Sequence, residues 1–374
     1  MPSVAPPSAT RLEQLVFAEA PRLVYWELTR ACDLACTHCR AEAIAQRDPR
    51  ELSTEEAKAL LAEFRAFGDP PPQLVMTGGD PLKRPDFFDL LQHGRGIGLP
   101  VSVAPSGTPL LTRDAIGALA ANGVESMSLS IDGPTAEIHD RFRGVEGCFD
   151  ATVQAANAMR AAAISLQVNT LVTAETAEHL PGVFRLLLDL GIMRWSLFYL
   201  IGTGRGLELR EIRPSQAEVL HHWVYDLTKT APFAIKTTEA PHFRRVAYLR
   251  MRAEGRDEAE IRRTPVGRGF GIRDGNGIMF ISHTGDVYPS GFLPVAAGNV
   301  RRQSPVTLYR HAELFTAIRD VDQYGGKCGH CEFRRICGGS RARAFAATGD
   351  VLGSDPLCIY APECLAGAVD ARPR

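Results

Sequence analysis

The stretch ELTRACDLACTHCRA sets Cys32, Cys36 and Cys39 in the spacing Cys-x3-Cys-x2-Cys on one short loop. Three thiolates so placed can each take one iron of a cubane [4Fe–4S] cluster and leave the fourth iron without a protein ligand, open to a small chelating molecule. Zinc is the other metal that cysteines favour, with His38 as the nearest fourth ligand. Closed zinc sites use paired ligands separated by a longer loop, and this compact triple has no second pair nearby. Further along, CGHCEFRRICGG gives Cys328-x2-Cys331-x5-Cys337, followed by Cys358 and Cys364. Four thiolates can close a cluster completely or hold a zinc knot. Cys148, alone in EGCFD, reads as an ordinary buried thiol.

The elements that must position these loops follow from the hydrophobic pattern. Between residues 22 and 200, short β-rich runs alternate with helical stretches, the mark of repeated βα units and a parallel sheet. Six strands are expected, starting at Leu23, Gln73, Pro100, Glu125, Ser165 and Arg194. In STEEAKALLAEFRAF, Ser53 with Glu56 forms a capping box ahead of apolar residues at helical spacing. The fold class is therefore α/β: a partial (β/α)6 TIM-like barrel, open rather than closed, with a small cysteine-rich C-terminal domain. Placement of the three-cysteine loop just after the first strand suits an active site in such a barrel.

The expected division is a disordered tail over 1–19, rich in Pro, Ser and Ala, a core barrel over 20–205, a bridging region over 206–276, and the cysteine-rich domain over 277–374. The last opens with a β-hairpin turning at His283 to Asp286. Lys and Arg total 42 against 43 Asp and Glu, so net charge gives no reason to expect nucleic acid or an anionic membrane as partner. No apolar run reaches the roughly 18 residues of a spanning helix, and no signal peptide is visible. A cytoplasmic protein is expected. Its nine cysteines, eight of them in two groups, suit metal ligation better than disulfides.

With these residues in place, the chain resembles the radical S-adenosylmethionine (SAM) superfamily over roughly residues 20 to 205. The resemblance implies that Cys32, Cys36 and Cys39 hold a [4Fe–4S] cluster whose open iron chelates SAM, and that SAM is cleaved to a 5′-deoxyadenosyl radical. MTGGDPL, with Gly78, Gly79 and Asp80, is similar to the family's GGE motif, which binds the SAM amino group. Two glycines let the backbone approach closely, and an anion faces an ammonium. Asp in place of Glu shortens the reach by one methylene. By the same resemblance Ser106, Ser130, Arg143 and Asn169 reach SAM from strand ends, Asp132 shapes the site, and Tyr199 is a weaker candidate.

From Gly277 to Cys364 the chain resembles the SPASM extension of radical SAM maturases, whose core is CxxCx5CGG. This implies a second [4Fe–4S] cluster held by Cys328, Cys331, Cys337 and Cys358, with Cys364 as the alternative fourth ligand. The family's other auxiliary cluster has no ligands here. Arg341 stands four residues beyond Cys337, Ser290 stands in the hairpin, and no cysteine lies between Cys148 and Cys328.

Two cofactors are thus expected, SAM and a pair of [4Fe–4S] clusters, with a flavodoxin or ferredoxin as reducing partner. The substrate is a small molecule or a peptide. RLVYWELTRACDLACTHCRAEA, FLPVAAGNVR and DPLC look similar to radical SAM enzymes of heme biosynthesis, which act on porphyrin side chains and carry one auxiliary cluster. Peptide maturation is the alternative reading, and a zinc or iron–sulfur binding module the non-enzymatic one. Arg205, Arg210 and Arg213, in the bridge, could pair with carboxylates of either substrate.

Overall fold

The computed structural model describes residues 17–365. Most of the expected N-terminal tail, residues 1–16, and the end of the C-terminal domain, 366–374, lie outside the described residues. Six parallel strands, β1 (Leu23–Glu27), β2 (Gln73–Thr77), β3 (Val101–Val103), β4 (Ser126–Ser130), β5 (Ser165–Val172) and β6 (Arg194–Tyr199), lie side by side in chain order. The crossovers carry α1 (Thr54–Arg65), α2 (Phe87–Gly96), α3 (Arg113–Ala121), α4 (Ala136–Arg143), α5 (Cys148–Ala161) and α6 (Leu180–Leu190). Helix α1 begins at the capping box, with Glu56 N donating to Ser53 Oγ at 3.2 Å and Ser53 N to Glu56 Oε2 at 2.8 Å. It buries Ala57, Leu60, Leu61 and Phe64.

Strand alternation sorts two faces. Trp195 of β6 faces the helices, packing on Phe184 of α6, and its Nε1 donates to Thr170 Oγ1 of β5 at 2.9 Å. The opposite, inner face is polar. Gln73 Nε2 donates to Ser102 Oγ at 3.0 Å, Ser102 and Ser126 hydroxyls meet at 2.6 Å, and Arg194 Nη1 donates to Gln167 Oε1 at 3.4 Å. A polar inner face leaves room for a polar guest instead of a packed apolar core.

The sheet extends beyond six strands. β7 (Ala234–Thr238), from the stretch read as a bridge, pairs parallel with β6 and follows α7 (Pro214–Thr230). β8 (Ile278–Ile281) pairs parallel with the free edge of β1, where its IMFI run is mostly buried. Its hairpin partner β9 (Asp286–Tyr288) and then β10 (Gly298–Asn299) continue antiparallel, giving ten strands in the order β10-β9-β8-β1-β2-β3-β4-β5-β6-β7. The hairpin of the cysteine-rich region is thus part of the barrel sheet, and it closes the edge that β1 would otherwise expose. The remaining helices are α8 (Phe243–Ala253), α9 (Glu258–Arg263), α10 (Pro305–His311), α11 (Glu313–Arg319), α12 (Gly326–His330) and α13 (Arg341–Thr348). Among the described residues no helix is long and apolar enough to cross a membrane.

Candidate active site

The two glycines after β2 explain how the cysteine loop is seated. Gly79 N donates to Thr29 O at 2.7 Å and Asp80 N to Ala31 O at 2.7 Å, tying the β2 end to the chain just ahead of Cys32. A β-carbon on Gly79 would stand 2.4 Å from Ala31 O, and one on Gly78 2.5 Å from Thr29 O. The loop's ends are joined by Cys32 N to Ile44 O at 2.9 Å and Ile44 N to Arg30 O at 3.0 Å. On its far side Gly204, at φ +54°, approaches so closely that a β-carbon would lie 2.7 Å from Cys39 O. Only glycine fits such contacts.

Each thiol in the loop receives a donor: Leu34 N to Cys32 Sγ at 3.4 Å, Arg143 Nη1 to Cys36 Sγ at 3.7 Å, and Ala43 N to Cys39 Sγ at 3.4 Å. Cys32 in turn meets Ser106 Oγ at 3.5 Å, and Ser106 donates to Gly79 O at 2.6 Å. Donors aimed at sulphur stabilise thiolates, and they tune a cluster that the thiolates hold. Burial pushes the Cys32 thiol up, a cost that ligation to iron reverses. Among the described residues no three His, Cys, Asp or Glu side chains converge as ligands of a single ion would. Cys148, at the start of α5, is buried as expected and packs in the same small cluster as Cys32, Leu34 and Cys36.

Asp80, expected from its motif to face the SAM amino group, has its side chain turned into the protein. It is fully buried, accepting from Thr108 Oγ1 at 2.6 Å and Leu82 N at 3.2 Å, and burial pushes its carboxyl up. The side chain caps the turn Pro81–Lys83 and secures the segment after β3, while Gly79 N and O are engaged by Thr29 O and Ser106 Oγ. Arg143 and Asp132 form an ion pair at 2.6 Å, and Asp132 Oδ1 accepts from Leu171 N at 2.7 Å, linking α4, β4 and β5. Register sets Ser130 beside Asn169, whose Oδ1 accepts from Gln167 Nε2 at 2.8 Å on the inner face. Tyr199 instead turns outward, sharing Trp195's parity, and its ring packs 5.2 Å from that of His221 on α7.

Of the bridge arginines, Arg210 pairs with Glu175 at 3.0 Å on the surface and Arg213 sits at the N-terminus of α7. Arg205 is the one at the site. Its backbone N donates to Cys39 O at 3.2 Å, while its buried Nε and Nη2 have no partner among the described residues. Orphaned guanidinium donors beside an open cluster site fit a bound carboxylate, and SAM carries one. The sequence signal was present in GTGRG, where Gly204 marks a close approach.

The second cysteine group surrounds a small, partly open hollow lined by Cys328, Cys331, Cys337 and Cys358 together with Arg245 and Lys327. Asp355 N donates to Cys328 Sγ at 3.4 Å and Gly339 N to Cys337 Sγ at 3.5 Å. Burial pushes the Cys331 thiol up to about 11 and raises Cys337 and Cys358 as well. Cys364 stands outside the hollow, exposed, its Sγ 3.6 Å from His330 O. Arg341 is fully buried and donates to Val351 O at 3.1 Å and Gly353 O at 2.7 Å, bracing the loop that leads to Cys358.

A TIM-like barrel whose first strand delivers a glycine-seated, donor-lined three-cysteine loop defines an iron–sulfur enzyme with its site at the strand C-termini. Residues 26–187 match the family model described as Radical SAM superfamily. Along nearly its whole length the chain is 40% identical, over 348 residues, to an AdoMet-dependent heme synthase of Methanosarcina barkeri, covering 93% of this chain and 99% of the relative. An AdoMet-dependent heme synthase of Oleidesulfovibrio alaskensis is 41% identical over 350 residues, 92% of this chain and 88% of the relative. Streptococcus suis SuiB bound to S-adenosylmethionine has a similar fold, with a TM-score of 0.70 at 17% identity over 91% of this chain and 78% of SuiB. The chain belongs to the radical SAM superfamily. It is an enzyme of SAM and a [4Fe–4S] cluster.

Proposed function

We propose that the protein is a two-cluster radical SAM oxidoreductase that modifies side chains of a porphyrin. Cys32, Cys36 and Cys39 would hold the first cluster, with Ser106, Ser130, Arg143, Asn169 and the Gly78–Gly79 backbone around SAM and Arg205 toward its carboxylate. When bound, cluster and SAM supply a carbon radical able to take a hydrogen atom from an unactivated C–H bond. The protein's part is to hold that C–H bond close and keep water away. Arg143, fixed by Asp132, keeps positive charge beside Cys36. A flavodoxin or ferredoxin would deliver the electron.

The observation that carries the second half of the reading is the hollow that Cys328, Cys331, Cys337 and Cys358 share. Four thiolates there close a [4Fe–4S] cluster, and Arg245 and Lys327 offset its negative charge. A second redox site in the same chain suits an oxidative outcome, in which the substrate radical gives up an electron, over a simple isomerisation. The porphyrin assignment leans on the two heme synthases. In this reading the core barrel is 20–205, the bridge 206–276 and the auxiliary domain 277–374, all sharing one sheet. Anaerobic reconstitution tests it: about eight irons per chain, falling to about four when Cys32, Cys36 and Cys39 become Ala. Bound zinc without SAM cleavage is the result that would sink it.

A further inference from the structure

At the end of the barrel away from the cysteine loop, the inner face carries cations that no acid answers. Arg22 directly precedes β1, Arg194 opens β6 and Lys236 lies in β7. Register pairs Arg194 with Ala234 and Ser196 with Lys236, so Lys236 is the diagonal neighbour of Arg194 on the same face. The contact of Ser196 Oγ with Thr238 Oγ1 at 3.3 Å confirms that these positions of β6 and β7 share that face. All three cations are half-buried. Among the described residues, Arg194's polar contact is Gln167 Oε1 at 3.4 Å, and no carboxylate acts on any of the three. The Tyr25 phenol on β1 acts on both arginines, and the Glu239 carboxyl reaches this group only through its effect on Tyr25.

The three also repel one another. Burial first, then Arg194 and Arg22, push the Lys236 ammonium down to about 7. Burial and then Arg194 and Arg268 lower Arg22. Desolvated like charges without partners weaken a fold, so three half-buried cations on the polar inner face call for an anion that pairs them. Arg offers a planar fork matched to carboxylate, and Lys a point charge. From Arg194 to the C-terminal end of β6 is about 16 Å at the rise of a parallel strand. A molecule bound at these cations and reacting near the cysteine loop must span that length, as a flat macrocycle with carboxylated arms does.

We propose that Arg22, Arg194 and Lys236 form a carboxylate anchor that holds one edge of a polycarboxylated porphyrin deep in the barrel, presenting the opposite edge to the cysteine loop. The anchor rests on the porphyrin reading above. It also gives the substrate a direction, because the arms engaged by the cations are the ones withheld from chemistry.

Fluorescence titration of the reconstituted full chain with coproporphyrin III, a porphyrin with four carboxylates, tests this, using Arg194→Gln, Lys236→Gln and the double variant. The expected Kd rises about tenfold for each single change and further for the double, wild-type binding weakens as salt is raised, and SAM affinity stays put. Thermal midpoints should hold or rise, since repelling charges have been removed. Variants that bind the porphyrin as tightly as wild type overturn the anchor and leave the porphyrin reading standing. A wild-type chain that binds no porphyrin overturns both. Variants that lose SAM binding and unfold at lower temperature assign these residues a structural role and equally overturn the anchor.

Discussion

The guanidinium of Arg143 lies 3.7 Å from the Cys36 sulphur. Its other terminal nitrogen is 2.6 Å from Asp132, whose side chain is 1% exposed. Burial pushes the Asp132 carboxyl up, but Arg143, with smaller help from His38, His139 and the Leu171 N–H, outweighs it and holds that carboxyl below the usual range. Removing the guanidinium therefore strands a buried anion. Arg143→Gln should destabilise the cluster-free protein by about 3–5 kcal/mol in urea unfolding. Asp132→Asn in the same chain should return part of that loss. A cost below about 1 kcal/mol would show that the pair is a solvent-screened one.

Gly79 has no room for a side chain, with Ala31 O and Arg30 O at 2.4 and 2.6 Å from the position of a β-carbon. Gly79→Ala should cost about 1–3 kcal/mol and displace the cysteine loop. Equilibrium dialysis with SAM should show binding weakened by at least tenfold after reconstitution, while Gly117→Ala, in open space on α3, leaves it intact.

Cys358 and Cys364 separate cleanly in space, one on the four-cysteine hollow and one outside it. Cys364→Ser should retain wild-type iron content and an unchanged auxiliary electron paramagnetic resonance signal. Cys358→Ser should lose or alter that signal. The reverse pattern would transfer the fourth-ligand role to Cys364.

Strand register and side-chain parity explain what the sequence reveals and what it hides. The starts of β1, β2, β5 and β6 fall where the β-rich runs begin, because alternation and flanking turn residues are local signals. β7 is hidden in the sequence because AIKTT is short, lies between helical stretches and carries Lys236 on its inner face. β8 reads correctly as half of a hairpin, but its parallel pairing with β1 leaves no local trace. At the site, cysteine spacing identifies the loop, whereas side-chain direction needs the fold. Asp80 precedes Pro81 and Leu82, a capping signal that explains its inward turn. Tyr199 shares parity with Trp195, which placed it on the helix side. The carboxylate-free neighbourhood of Arg194 and Lys236 emerges only when β6 and β7 are paired.

His139 is fully buried, and its Nδ1 accepts from Asp132 N at 3.1 Å, so the ring is held neutral. Burial, then the Arg143 charge, lower its pKa to about 4. The unfolded chain, with a histidine value near 6.5, binds this proton first, so stability falls as pH drops from about 6.5 toward 4. Thermal unfolding of the cluster-free protein should show a midpoint decreasing across that window. His139→Gln should reduce the slope by one histidine's share, the buried His38, His221 and His242 supplying the rest, and an unchanged slope would remove His139 from the titrating set.

Radical chemistry on a porphyrin is tested most directly by incubating the anaerobically reconstituted protein with SAM, a low-potential reductant and iron coproporphyrin, and following 5′-deoxyadenosine and porphyrin mass together. The expected result is 5′-deoxyadenosine that accumulates in step with a porphyrin of altered side-chain mass, with both products absent when Cys32, Cys36 and Cys39 are Ala. Steady 5′-deoxyadenosine formation beside an unaltered porphyrin would contradict the assignment.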